Sequence, residues 1–170
     1  MKNIKNYILP VSLILILSFS RIIPHPANFT PVLAVGIFSG FYFKQFFLSS
    51  FIVVASMFVG DLYLGFHETM FFTYISMIAI VILGLYIKHF KYIEILFSGI
   101  IGSICFFIIT NFGAWLTLEM YEKNAAGLLQ SYIMAIPFFH NTLISTFLYL
   151  IIFKLFFDFV IERKKLRSSF

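Results

Sequence analysis

Arg21, His25, Asn28 and Thr30 fall together in the block SRIIPHPANFTP, interleaved with Pro24, Pro26 and Pro31. Each proline removes a backbone donor and holds its predecessor extended, so this stretch is not helix throughout. A cation, an imidazole, an amide and a hydroxyl on irregular backbone form a candidate wall for a polar ligand. Three later blocks add to it. DLYLGFHETM brings Asp61, His67, Glu68 and Thr69 close together beside an aromatic edge of Tyr63 and Phe66. TNFGAWLTLEMY sets Asn111, Trp115 and Leu118 along one helical face at i, i+4 and i+7. IPFFHNTLIS follows Pro137 with His140, Asn141, Thr142 and Ser145.

The chemistry these residues suggest is capture. Arg21 would pair with an anionic ligand group, Trp115 would stack on a ring, and Asn111 and Asn141 would fix orientation by hydrogen bonds. His25, Asn28, Glu68 and His140 complete the expected substrate-binding set. Each has a plainer reading. Arg21 can snorkel to an interface, or close helix ends by pairing with Asp61 or Glu68. The loop carboxylates can be simply solvated, and Trp115 can belong to an interfacial aromatic belt. Asn141 or Thr142 can satisfy carbonyls that Pro137 leaves free.

The elements that must position these groups are membrane helices. Of the 170 residues, 61% are hydrophobic and 11% charged, with 25 Phe, and the mean hydropathy is +1.00. Soluble domains carry about 25% charged residues. We read one all-α transmembrane domain over residues 1–170, with apolar segments at about 6–22, 30–43, 46–60, 70–87, 93–118 and 128–160. The runs are continuous, without the alternation of barrel strands. The N-terminal segment has a basic start and short apolar core but no small-x-small cleavage site, so it is expected to be a retained helix.

Only Lys44 and Gln45 separate the second and third segments. With six spans, Lys2, Lys5, Lys44, Lys88, Lys91, Lys154, Arg163, Lys164, Lys165 and Arg167 share one side, against Arg21 and Lys123 on the other. Merging the two segments buries Lys44, which costs about 2.5–3.5 kcal/mol at a helix centre, and weakens the charge asymmetry. Six spans are therefore expected, with both termini cytoplasmic. The chemically capable groups then collect on the outer side. Counting 1.5 Å per residue from about residue 130 sets His140 roughly 15 Å in, where it should face the protein interior. Small residues four apart, at Gly36 and Gly40, Ser56 and Gly60, and Ser98 and Gly102, should serve close helix packing or a docking groove.

The blocks SRIIPHPANFTPVLAVGIFSG, DLYLGFHETM, TNFGAWL and GLLQSYIMAIPFFHNTL resemble, over essentially the whole chain, a bacterial family described only as transport proteins of unknown function. That family looks related to the S components of energy-coupling factor (ECF) transporters, six-helix membrane proteins that capture vitamins and similar nutrients from outside. The resemblance implies an S-component-like bundle, a small-molecule nutrient as ligand, and an energising coupling subunit with ATPases as a partner. In S components an A-x-x-x-A pattern on the first helix docks the coupling subunit; here Ser12 is followed by Ile16 and the pattern is absent.

The chain has no phosphate-binding G-x-x-x-x-G-K-[ST] loop, so a nucleotide cannot energise uptake through it alone. We expect no enzymatic activity, no cofactor and no resident metal. Its positive charges sit at segment ends and form no stripe, which argues against nucleic acid and for the lipid bilayer as the partner surface. The lone Cys105 excludes an internal disulfide. Two other classes remain open. One is a cell-envelope structural or assembly protein. The other is a metal carrier or metalloenzyme built from His25, His67, His140, Asp61 and Glu68, none of which has a ligand spacing such as H-E-x-x-H.

Overall fold

The computed structural model describes residues 2–168, with side chains from 8 to 159. Lys2, Lys5, Glu162 and the cationic run Arg163, Lys164, Lys165 and Arg167 therefore lie outside the described side chains. Six helices form: α1 (Lys2–Ile22), α2 (Val32–Phe43), α3 (Phe46–Leu64), α4 (Met70–Tyr86), α5 (Tyr92–Thr117) and α6 (Ala125–Ser168). Among the described residues, three stretches are long and apolar enough to cross a membrane: Phe46–Leu64, Tyr92–Thr117 and Ala125–Phe159. Their exposed side chains are largely Phe, Ile and Leu, including Phe47, Phe51, Leu62, Phe97, Ile108, Ile133 and Leu155, as a lipid-facing surface requires.

α2 is as short as its apolar segment at 30–43 implied. Its 12 residues extend about 18 Å, short of the ~30 Å hydrocarbon core. It is nevertheless the centre of the molecule, for Val32 to Phe41 are all buried and α2 touches every other helix. The three small-residue pairs are spent on contacts within the chain. A Cβ on Gly40 or Gly84 would collide with backbone of the facing helix, so α2 and α4 meet almost backbone to backbone. Ser18 donates to the Ser56 carbonyl at 3.1 Å where α1 crosses α3, and Gly102 packs beside Ile37.

The α2–α3 and α4–α5 connections lie at one end of the bundle, whose interior is filled by packed aromatic rings. Lys44 adopts a left-handed conformation (φ 52°) and terminates α2, so α2 and α3 do not merge. Its ammonium donates to the Leu85 carbonyl at 2.8 Å and to that of Ile87, tying the two turns together. Desolvation lowers the Lys44 pKa from its ordinary value, and the nearby Glu94 charge opposes that shift. Glu94 accepts from the backbone N–H groups of Lys88, His89 and Lys91. Beneath these turns Phe90, fully buried at φ 51°, stacks on Phe41 at 4.6 Å and contacts Phe38 and Phe157.

α3 runs four residues further than expected, which moves Asp61 from a loop into its last buried turn. Burial is tolerated because the carboxylate is fully partnered, as described next.

A polar cavity at the opposite end of the bundle

The end that carries the α1–α2, α3–α4 and α5–α6 connections is open. A cavity of about 440 Å³ enters it, within the 300–1,000 Å³ range of small-molecule sites. Its origin is the shortness of α2. The chain from Ile23 to Pro31 stays irregular where a full-length helix would continue, and α6 holds it there. Asn141 donates to the Ala27 carbonyl at 3.0 Å, Ser145 to the Asn28 carbonyl at 3.4 Å, and Phe29 meets the Tyr149 ring edge-on. Asn141 is 16 residues into α6, about 24 Å along it, so the loop descends deep into the bundle. Irregular backbone at such depth needs protein or a watery cavity around it. Asn28 takes the left-handed turn at φ 61°, a conformation asparagine tolerates better than most residues.

One wall rests on an ion pair. Arg21, in the last turn of α1, donates to Asp61 Oδ1 at 2.6 Å and to the Met57 carbonyl at 2.7 Å. Tyr74 of α4 donates its hydroxyl to Asp61 Oδ2 at 2.7 Å. Gly60 is what lets the guanidinium lie flat against α3, since a Cβ there would sit 2.5 Å from Arg21 Nη1. Three helix ends are thereby joined through one buried carboxylate, and the arginine reaches the cavity already neutralised. A guanidinium has five N–H donors, so it retains donors for a ligand.

The remaining lining comes in helical stripes. α4 contributes Thr69 at its cap, Thr73 and Met77; α5 contributes Phe106, Thr110, Ala114 and Leu118, with Asn111 beside them; α6 contributes Thr142. The hydroxyls of Thr73, Thr110 and Thr142 donate to carbonyls four residues back, at 3.2, 2.8 and 3.0 Å. Their oxygens thus meet the cavity as acceptors. Asn111 donates to the Phe107 carbonyl at 2.7 Å, which leaves its carbonyl oxygen free of that bond. His25 uses Nδ1 on the Pro26 carbonyl at 2.8 Å and His67 uses Nδ1 on Thr69 Oγ1 at 2.9 Å, leaving each Nε2 for the solvent side. Val32 and Leu33 also line the cavity, so it stands over the amino end of α2, whose residue Pro31 supplies no side-chain cap.

Of the expected binding set, Arg21, His25, Asn28 and Asn111 line the cavity, and Glu68, Trp115, His140 and Asn141 do not. Glu68 is exposed in the α3–α4 connection. Trp115 lies one step round α5 from the lining stripe, its indole donates to the Glu122 carbonyl at 2.9 Å, and Lys123 bonds the Trp115 and Leu118 carbonyls. It closes the α5–α6 turn. His140, expected to face inward, is exposed, because the interior face of α6 is set by Ser131, Ala135, Thr142, Ser145 and Thr146. Asn141 tethers the proline loop and Thr142 bonds Phe138, so neither repairs the helix at Pro137. Tyr74, Thr73 and Thr110 escaped notice in the sequence; the Thr69–Thr73–Met77 and Thr110–Ala114–Leu118 spacings were the available signal. Among the described residues no three of His, Cys, Asp and Glu come together to hold a metal ion.

A family model described as "Family of unknown function (DUF6580)" matches residues 1–168, and the chain belongs to that family. No curated protein and no solved structure matches it.

Proposed function

We propose that this member of the DUF6580 family is a substrate-capturing membrane subunit that binds a small, water-soluble, vitamin-like nutrient from the outer face of a bacterial inner membrane. The observation that carries this reading is the one-sided cavity. It is built by groups from all six helices and their connections, and it opens at the end that the charge distribution makes external. Aromatic packing fills the other end. A receptacle open to one side and plugged on the other suits capture better than conduction.

On this reading the chain crosses the bilayer six times. α2 spans only together with its descending loop, and both termini are cytoplasmic. The likeness to ECF S components supports the same role, as does the absence, among the described residues, of a buried carboxylate beyond the paired Asp61 that could couple ions. Movement of the cargo then falls to an energising partner. The test is to purify the protein in nanodiscs, extract it and identify retained small molecules by mass spectrometry. Wild type should release a stoichiometric compound that Asn111→Leu and Thr73→Val variants of equal melting temperature do not. Equal empty yields from all three would overturn the reading. The orientation is tested in a Cys105→Ser background, where Lys44→Cys should be labelled only from the cytoplasm and Lys123→Cys only from outside.

A further inference from the structure

A second, smaller hollow of about 60 Å³ adjoins the main cavity between α5 and α6. The two share Asn28, Phe106, Thr110, Asn111 and Thr142 as a common rim. Beyond that rim the lining changes character, to Phe107, Ala135, Phe138 and Phe139, with the Phe107 and Phe139 rings 5.1 Å apart. One ordered water needs roughly 10–15 Å³ on this kind of measure, so the hollow holds the equivalent of about four to six waters, but it offers them few polar partners away from the rim. Such a space favours a compact apolar group. The main cavity contrasts with it, presenting hydroxyl and amide oxygens and the donors of a prepaired arginine. The described lining of both hollows contains no carboxylate, and Asp61, outside that lining, is occupied by Arg21 and Tyr74.

Resting on the capture reading above, we infer that the ligand is an uncharged or anionic molecule with two unlike ends. A hydrogen-bonding head lies in the main cavity, and a ring or branched apolar group of about four to six heavy atoms enters the alcove between α5 and α6. Cations are selected against, because no free carboxylate awaits them and Arg21, paired with Asp61, offers only hydrogen-bond donors. Ala135 sets the depth of the alcove. It is buried on the interior face of α6, and any larger side chain there takes the space the apolar group would use.

The experiment uses a matched set of probes sharing a planar polar head: acetamide, isobutyramide, benzamide, benzoate and benzamidine. Binding is read by the melting temperature of the nanodisc protein and by emission of its single tryptophan, Trp115, which is adjacent to the lining residue Ala114. Affinity should rise at least tenfold from acetamide to benzamide, and benzamidine should be weakest among the three ring compounds. Ala135→Leu should remove the benzamide advantage while leaving acetamide unchanged. If that variant does not fold, the wild-type ordering decides alone. A flat series, a preference for benzamidine, no binding by any probe, or an Ala135→Leu variant that keeps the benzamide preference would each overturn the alcove assignment. None of these touches the capture reading, which stands or falls on the retained cargo.

Discussion

The two ends of this bundle solve the same problem, closing the chain between helices, by opposite means. At the closed end, aromatic rings fill the volume, and the side chains of Lys44 and Glu94 reach back to satisfy the backbone of two tight turns. At the open end a carboxylate, an arginine and a tyrosine join three helices, while amide and hydroxyl groups of α6 suspend a proline-rich loop. Apolar packing leaves no space for water, whereas polar tethers fix positions without filling volume. The cavity is what the second solution leaves behind.

The largest expected effect comes from emptying the closed end. Phe90→Ala deletes a fully buried ring that contacts Phe38, Phe41 and Phe157, and should destabilise by about 3–5 kcal/mol. The surviving folded fraction should still retain cargo, because the cavity lies at the other end. Chemical denaturation in detergent with a parallel cargo assay checks both. Loss of cargo binding per folded molecule would break the division between the ends.

Next in size is the ion pair that joins α1 to α3. Asp61→Ala strands the Arg21 charge, which is 13% exposed, and should cost about 3 kcal/mol, the low end for a broken buried pair, since Arg21 keeps its bond to the Met57 carbonyl. The double variant Arg21→Met, Asp61→Leu should recover most of that stability, because well-packed apolar replacement of a buried pair is often neutral. It should not recover cargo. A double variant that binds normally would show that Arg21 only ties helices and offers the ligand nothing.

These pairings mark how far the sequence could be read. Helix number and order were legible, because continuous apolar runs broken by Lys44–Gln45 and by proline-rich or charged turns leave little choice. So was the irregular loop, since three prolines cannot sit in regular helix at those positions. The short α2 was legible too, because the apolar run between Pro31 and Lys44 is too brief for a full span. Residue by residue, the site failed wherever a helix phase had to be guessed. On α5 the lining stripe is Phe106, Thr110, Ala114 and Leu118, and taking Trp115 instead of Ala114 is an error of one residue, about 100°. Asp61 and Glu68 look alike in sequence. Only the crossing of α1 over α3 gives one of them a partner.

A smaller effect should follow from freeing the loop. Asn141→Ala removes one neutral donor to the Ala27 carbonyl, so the global cost should be about 1 kcal/mol. Locally the change should be larger: hydrogen exchange at Ala27 to Thr30 should quicken while the amides of α4 and α5 stay protected. Uniform loss of protection would mean that the loop and the bundle form one cooperative unit, and that the open end is no looser than the closed one.

The smallest effect is expected next door, at His140, and it separates two mechanisms. From composition alone this is the residue best suited to carry a proton, being an imidazole at mid-helix depth. Its phase on α6 removes it from that task. Thr142 is buried and lines both hollows, and two residues of helix turn His140 about 200° away from it, onto the exposed face. A proton relay must face the path of the cargo in at least one state, and this side chain faces away from both hollows. His140→Leu should therefore match wild type in melting temperature and in retained cargo. In liposomes neither protein should concentrate that compound under an imposed proton gradient. Accumulation by the wild type that disappears in His140→Leu would bring His140 to the cavity side in some other state of the bundle. It would also replace capture for a partner with transport by this chain alone.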